Sequence, residues 1–110
     1  MTTKEIEELI GLSKHTMRFY EKEGLISPRR NENGFREYSK EDLEILLTIK
    51  FLRNLDLPLD DVKAILNGNI DAKECIRKNQ VHLEKQISLL EEAREKSELF
   101  IDHEWPLIPA

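Results

Sequence analysis

Six basic side chains cluster between residues 13 and 36, in the sequence SKHTMRFYEKEGLISPRRNENGFR. They are Lys14, Arg18, Lys22, Arg29, Arg30 and Arg36. Only Glu21, Glu23 and Glu32 offset them, so this segment carries a formal charge of +3 in a chain whose net charge is −5. Lysine and arginine supply the positive groups that hold the phosphates of DNA. The segment is therefore a candidate DNA-contacting surface.

Residues 61–110 carry the opposite net charge. Residues 61–110 hold seven basic and ten acidic side chains. The average charge, with a pI near 5.3, argues against nucleic acid as a partner, but the distribution of charge matters more than the average. The split is typical of a DNA-binding module followed by an acidic dimerisation arm.

Residue types that bind metals or perform catalysis are sparse. The chain has one cysteine, Cys75, and three histidines, His15, His82 and His103. A dimer could bring Cys75 near His103 of a second copy, but zinc needs about four ligands and copper(I) at least two soft ones. We therefore predict a half-buried thiol with no metal and no cofactor. The chain contains no glycine-rich phosphate loop, HExxH sequence or nucleophile elbow, so we do not expect an enzyme.

Two short helices are predicted to carry the first part of the basic segment. Thr2 or Thr3 can cap the first helix, and Gly11 follows its last residues. Ser13 can cap the second helix, which Gly24 ends. Two short helices joined by a glycine-containing turn are typical of a helix-turn-helix.

A small hairpin is predicted to carry the remaining basic residues. Asn33 and Gly34 lie between two short runs, residues 28–31 and 35–38, and Asn-Gly is a strong local signal for a hairpin turn. A hairpin of this size is not stable alone, so it has to pack against another element.

Two further helices follow the hairpin. Ser39 and Asp42 form a predicted capping box at the start of the third helix. Pro58 interrupts the helical pattern, and a fourth helix is predicted for residues 59–66, ending before Gly68. We expect the core to contain Ile6, Leu9, Leu43, Leu47 and Ile65.

The last predicted helix is long and needs a partner. Residues 71–102 contain neither glycine nor proline, which allows about 45 Å of helix. Its apolar residues recur at coiled-coil spacing among dense charges, and such a stripe is not stable in water alone. The predicted dimerisation residues are Ile76, Leu83, Ile87, Leu90 and Ile101.

Neither a signal peptide nor a membrane helix is expected, because the first 15 residues are rich in charge and no apolar run reaches about 18 residues. We therefore expect a cytoplasmic protein with no membrane partner.

The order of these elements resembles that of the MerR family of bacterial transcription regulators. LIGLSKHTMRFYEKEGLI is similar to the family's helix-turn-helix motif, NGFREYS to its wing motif, and DLEILLTIKFLRNLDLPLDDVKAIL to the helix pair that follows. Asp56 and Glu7 depart from the pattern, because the family often has glycine at the first position and a small apolar residue at the second. The chain is similar to a short member of the family without a large effector domain.

The resemblance implies an all-α fold: a winged helix-turn-helix domain with a small β-hairpin wing, followed by a long dimerisation helix that forms an antiparallel coiled coil. The expected divisions are residues 1–69 for the DNA-binding domain, 70–103 for the coiled coil and 104–110 for a short tail that includes Trp105.

Candidate DNA contacts follow from the predicted elements and from the resemblance. Lys14, His15 and Arg18 occupy the first two turns of the second helix, from which base edges are reached. The resemblance implies that Arg36, Tyr38 and Arg53 hold phosphates. Tyr20 is preferred over Phe19 for a contact. The structural alternatives are packing of Tyr20 or Tyr38 in the core, a solvated Arg18, and a role for Arg29 and Arg30 only in solubilising the edge of the hairpin. The full predicted set is Lys14, His15, Arg18, Tyr20, Arg29, Arg30, Arg36, Tyr38 and Arg53.

The function implied is regulation of transcription by a homodimer that binds and distorts a palindromic promoter element in double-stranded DNA. RNA polymerase is a further candidate partner, and the sequence names no small-molecule effector. The alternative is an architectural, excisionase-like DNA-bending protein, or a small interaction protein, without effector control.

Overall fold

The computed structural model describes residues 1–102; His103, Trp105 and the predicted tail lie outside the described residues. Five helices and one antiparallel hairpin follow one another along the chain. They are α1 (Thr3–Ile10), α2 (Lys14–Lys22), β1 (Arg29–Arg30), β2 (Arg36–Glu37), α3 (Lys40–Asn54), α4 (Leu59–Leu66) and α5 (Ala72–Ile101). The predicted order of helix-turn-helix, wing, helix pair and long helix is confirmed. The chain divides into two units, Met1–Asn69 and Ile70–Ala110.

Helices α1, α2, α3 and α5 begin at polar caps, whereas α4 begins after Pro58 with no side-chain cap. The side chains of Thr2, Ser13 and Asp71 each accept a hydrogen bond from the backbone N–H three residues later. Ser39 does the same at α3, and the Asp42 carboxylate accepts in return from the backbone N–H of Ser39, which completes the predicted capping box. These bonds satisfy N–H groups that have no partner inside the helix.

Asn33 and Gly34 lie in the turn of the hairpin, as expected. Arg29 pairs with Glu37 and Arg30 with Arg36, so five residues separate the strands. Asn31 closes the turn: its carbonyl accepts from the N–H of Gly34, and its side-chain Oδ1 accepts from the N–H of Phe35 at 3.0 Å. An asparagine side chain that bonds to nearby backbone in this way is typical of turns. The N–H of Asn31 also donates to the carbonyl oxygen of Phe35 at 2.8 Å, so the two arms meet at the predicted residues 31 and 35, and the predicted hairpin is confirmed.

The core of the first unit differs in part from the predicted one. Its fully buried members come from α1, α2, α3, the segment before α4, and α4 itself. They are Ile6, Met17, Leu46, Ile49, Leu57 and Val62. Leu9 and Leu47 were expected in the core but are 63% and 46% exposed. For Leu47 the reason is that α3 turns Leu46 and Ile49 inward and so turns Leu47 outward. Leu43 and Ile65 are half-buried.

The connection between α3 and α4 contains a left-handed residue. Asp56 has φ 63°, and it is the one non-glycine residue among residues 1–102 with a positive φ. This conformation is easiest for glycine and is more accessible to aspartate than to bulky side chains. The turn therefore keeps a glycine-like backbone with aspartate in it.

The second unit contains the 30-residue helix α5. Its exposed apolar side chains include Ile87, Leu89 and Leu90. Cys75 is buried, not half-buried as expected. No helix within residues 1–102 is long and apolar enough to cross a membrane.

Candidate nucleic-acid interface

Helix α2 separates an apolar face from a basic one. Met17 and Tyr20 are buried. The side chains of Lys14, His15 and Arg18 are exposed. Because a helix repeats every 3.6 residues, burying positions 17 and 20 turns positions 14, 15 and 18 away from the core. The structure therefore brings three of the predicted DNA-binding residues together on one exposed helix surface.

The two aromatic residues of α2 take opposite roles from the expected ones. Tyr20 is only 7% exposed, whereas Phe19 is 44% exposed. Their rings are tilted against each other with centroids 5.7 Å apart. Tyr20, the preferred contact residue in the sequence, thus lies in the core, and its Phe19 neighbour is the aromatic side chain available at the surface.

The wing presents two of its predicted basic residues to solvent. Arg29 and Arg30 are exposed. The Nη1 atom of Arg30 donates to the carbonyl oxygen of Gly34 at 3.0 Å, which holds this side chain across the turn. Because the guanidinium is planar and rigid, this hydrogen bond also fixes the orientation of the other N–H donors of Arg30.

Tyr38 anchors the base of the wing in the core. It is 2% exposed, and its hydroxyl is buried without a hydrogen-bond partner among residues 1–102. Its backbone pairs in both directions with Met1, through the N–H of Tyr38 to the Met1 carbonyl at 2.7 Å and from the Met1 nitrogen to the Tyr38 carbonyl at 2.8 Å. Of the two roles weighed for Tyr38, the structure places its ring in the core.

The guanidinium of Arg36 is engaged by α2. Its Nε donates to Glu21 Oε1 at 2.8 Å and its Nη2 to Glu21 Oε2 at 3.3 Å. The hydrogen bond from Arg36 lowers the pKa of Glu21, opposed by partial desolvation, and the charges of Arg36, Arg30 and Arg18 lower it further. The same hydrogen bond raises the pKa of Arg36. Arg36 was expected to hold a phosphate, and here two of its nitrogens hold a carboxylate.

A shallow basic groove runs between the start of α1, α2 and the wing. Lys4, Arg18, Arg30 and Arg36 line it, together with the exposed ring of Phe35. Neither Lys4 nor Phe35 was predicted as a site residue from the sequence, because Lys4 lies in the first helix, outside the basic segment, and Phe35 is apolar. In the sequence, Lys4 lies near a predicted helix cap and Phe35 near a predicted turn, and neither position indicates that the two residues share a groove.

Arg53 lies outside this groove and near the end of α3. It is exposed, and its Nη1 donates to the carbonyl oxygen of Leu57 at 2.9 Å. A second ion pair, between Lys63 of α4 and Glu23 at the end of α2, has a separation of 2.7 Å. Arg53 is therefore held by the turn that leads to α4, and the helix pair is tied to α2.

The predicted dimerisation residues lie along α5 with graded exposure. Ile76 and Leu83 are half-buried, whereas Ile87, Leu90 and Ile101 are exposed. Leu90 is 71% exposed, which is costly for an isolated helix in water. Their role in dimerisation stays a prediction.

The described residues contain no group of three or more His, Cys, Asp or Glu side chains that could hold a metal ion. His103, considered as a second ligand beside Cys75, lies outside residues 1–102.

Comparison with known proteins shows that the first unit matches a protein family. Residues 1–69 match the model of the MerR HTH family regulatory protein. The HTH-type transcriptional regulator ZntR homolog of Haemophilus influenzae is 35% identical over 83 residues, which are 74% of this chain and 62% of that protein. The chain thus spans less than two thirds of the length of this relative.

Solved structures extend the similarity beyond residue 69. The N-terminal part of MtaN, the Bacillus subtilis multidrug transporter activator, is 27% identical with a TM-score of 0.84, covering 94% of this chain and 99% of that one. HiNmlR, a MerR family regulator lacking the sensor domain and bound to promoter DNA, is 30% identical with a TM-score of 0.59, covering 93% and 78%.

Proposed function

Because this chain belongs to the MerR family of helix-turn-helix regulatory proteins, we propose that it regulates transcription by binding a palindromic promoter element as a homodimer. The observation that carries the proposal is the exposed basic face of α2, with Lys14, His15 and Arg18 opposite a buried apolar face. A helix of this kind fits the major groove, where side chains reach base edges.

The wing supplies the second part of the proposed DNA contact. Arg29 and Arg30 are exposed on β1, and the groove beside them adds Lys4. These groups would hold the sugar–phosphate backbone on one side of the recognition helix, while Arg53 would hold it on the other. Phosphate contacts of this kind fix the register in which α2 meets the bases.

The homodimer is proposed because one chain presents one recognition helix. Such a helix contacts only a few base pairs, so useful specificity needs two half-sites in phase with the DNA helical repeat. The stripe of Leu83, Ile87 and Leu90 on α5 is the proposed seam, in an antiparallel coiled coil with the same stripe of a second copy. Residues 1–69 are then the DNA-binding domain and residues 70–103 the dimerisation helix.

Distortion of the operator is part of the proposal. Two wings and two recognition helices on one duplex can offset the energy of bending or untwisting it through added phosphate contacts. RNA polymerase is the proposed further partner, because a promoter distorted between its recognition elements changes how polymerase engages them. The protein would act in the cytoplasm, where bacterial promoters lie.

Selection of bound duplexes from a random DNA pool tests this function. We expect a palindrome to be enriched and bound about 10³-fold or more tightly than random duplex at physiological salt. Sites that map between polymerase recognition elements, together with altered transcription by purified polymerase, support regulation. Sites confined to recombination ends support the architectural alternative, and failure to enrich any sequence contradicts the proposal.

A further inference from the structure

The wing has too little structure of its own to fix its orientation. Each strand has two residues, and a two-stranded hairpin of this size is not stable in isolation. Its base is held by Tyr38, which lies beyond β2. The part of the wing that carries Arg29 and Arg30 therefore needs a second attachment to keep a defined distance from α2.

Glu21 provides that attachment. Of the ion pairs among residues 1–102, the Glu21–Arg36 pair is the one that joins α2 to the wing. Both oxygens of Glu21 are used, at 2.8 and 3.3 Å, and the side chains are mostly shielded, with 27% exposure for Glu21 and 18% for Arg36. A two-point contact of this type fixes direction as well as distance.

The strand register indicates that the negative charge of Glu21 stabilises more than one arginine. Arg30 pairs directly with Arg36 across the hairpin, and like charges in that position repel each other. The negative charge of Glu21 interacts with Arg36, Arg30 and Arg18. One carboxylate thus offsets the repulsion among three arginines that belong to α2 and to both strands.

We infer that Glu21 is a positioning residue for operator recognition, which holds Arg36, and with it the wing, at the distance from α2 that the operator requires. This inference rests on the proposed function. It assigns to Arg36 a mainly internal role: Arg36 orients the wing, while Arg29, Arg30 and Lys4 face the phosphates.

Three alternative roles for Glu21 predict different effects of Glu21→Gln on the binding of operator DNA and of random duplex. If Glu21 were only a counter-ion, Glu21→Gln would remove a negative charge from the interface and strengthen binding to every duplex. If it served only stability, the substitution would weaken binding to every duplex equally. A positioning role weakens binding to the operator alone, because random duplex does not require a defined wing position.

The experiment measures binding of fluorescently labelled duplexes at several salt concentrations. It uses the full chain, the operator selected from random DNA and a random duplex of equal length. The variants are Glu21→Gln, Arg36→Gln and the double variant. Glu23→Gln is the matched control, because it breaks the Lys63–Glu23 pair of similar length on the same helix without touching the wing. Circular dichroism confirms that each variant is folded at the assay temperature.

We expect Glu21→Gln and Arg36→Gln each to weaken operator binding by about tenfold. The double variant should be no weaker than the weaker single variant, since both remove the same link. Binding of Glu21→Gln to random duplex should be unchanged or tighter, and Glu23→Gln should behave as wild type. The slope of log affinity against log salt for Arg36→Gln should stay at the wild-type value.

Several results would overturn the inference. Operator binding by Glu21→Gln that is as tight as wild type or tighter would leave Glu21 as a counter-ion only, and equal weakening of binding to operator and random duplex would leave it as a stabilising residue only. A salt slope reduced by about 1 in Arg36→Gln would make Arg36 a phosphate contact. A wild-type chain that selects no operator would overturn the proposed function itself, and the inference with it, which is a different outcome from wild-type binding that Glu21→Gln leaves intact.

Discussion

The ammonium group of Lys50, in the middle of α3, donates a hydrogen bond to the backbone carbonyl of Ile10, the last residue of α1. The final carbonyls of a helix have no partner inside it, and a cation there also complements the helix dipole. A Cβ added to Gly11, which has φ 70°, would lie 3.3 Å from this nitrogen. The turn between α1 and α2 is therefore held against α3 from outside the helix-turn-helix itself.

Lys50→Met is expected to lower the free energy of unfolding by about 1 kcal/mol, because it keeps the apolar stem and leaves the Ile10 carbonyl without its donor. Chemical denaturation measures this change. Lys40→Met, at the exposed start of the same helix, is the control and should change stability by less than about 0.5 kcal/mol. Equal effects of the two variants would show that the Lys50 bond contributes nothing.

Stability should depend on pH through Glu21. The pKa of this carboxyl is lowered in the folded protein, so the unfolded chain binds its proton more readily and the stabilisation is present above the unfolded pKa. It is lost as the pH falls through the lower, folded pKa. Since the pair is partly exposed, we expect Glu21→Gln to cost about 0.5–1 kcal/mol at pH 7.

Thermal unfolding of the wild type and Glu21→Gln at pH 7 and pH 3 checks this prediction. The gap in melting temperature should be about 3–6 °C at pH 7 and should shrink at pH 3, which lies below the ordinary pKa of the carboxyl, so that the unfolded wild-type chain binds the proton. A gap of the same size at both pH values would exclude the ion pair as its cause.

Asp56→Gly is expected to raise the free energy of unfolding by about 0.5–1 kcal/mol. Asp56 has a left-handed backbone, and the strain relieved there exceeds the entropy that glycine adds to the unfolded chain. Asp60→Gly, within helix α4, is the matched control and should be destabilising, because glycine is unfavourable inside a helix. Urea denaturation distinguishes the two, and a destabilising Asp56→Gly would show that the aspartate side chain supports the turn.

Replacement of Arg18 and of Arg29 by alanine should change DNA binding in different ways. On α2, Arg18→Ala should cost about 1–3 kcal/mol of operator affinity and reduce discrimination against random DNA. On the wing, Arg29→Ala should weaken binding to both duplexes and reduce the salt slope by about 1. Lys78→Ala, which removes one positive charge from α5, should leave the slope unchanged. Identical behaviour of the two arginine variants would contradict the assignment of base and phosphate contacts.

Ile87→Asp should convert the dimer to a monomer that remains folded. Burial of one such side chain contributes about 1.5–3 kcal/mol, and the two-fold symmetry counts the change twice, so dimerisation should weaken by at least about a hundredfold. The monomer should bind the palindrome no better than random duplex. Lys85→Asp adds the same side chain two residues earlier, roughly opposite on the helix, and should remain dimeric. Analytical ultracentrifugation and a gel-shift assay check both; a monomeric wild type would contradict the proposal.

The elements of this fold were predictable because their boundaries are local. Ser13, Ser39 and Asp71 cap helices through bonds to residues only three positions away, so the sequence shows both partners together. The core was less predictable, since apolar residues occupy several sides of α3 and their count does not show that Leu47 points outward. The pairing of Glu21 with Arg36 spans 15 residues, and no local pattern specifies it.

The candidate site was also predictable only in part. Exposure of Lys14, His15 and Arg18 follows from the helical repeat once Met17 is placed in the core. The positions of Tyr20 and Phe19 were reversed: Tyr20 follows Met17 by three residues and shares its buried face, whereas Phe19 lies about 100° away from Tyr20 around the helix. The groove that Lys4 shares with the wing depends on tertiary packing, which composition and spacing do not describe.

The two-residue strands of the wing also lower its local stability. A hairpin with so few backbone bonds opens locally at little free-energy cost, whereas the amides of α3 are released only by global unfolding. Hydrogen–deuterium exchange should therefore be fast at residues 29–37 and slow at Leu46 and Ile49. Operator binding should then slow exchange at the backbone amides of the wing, although Glu21 and Arg36 already hold its position, and the entropy lost when these local openings are suppressed would reduce the net affinity.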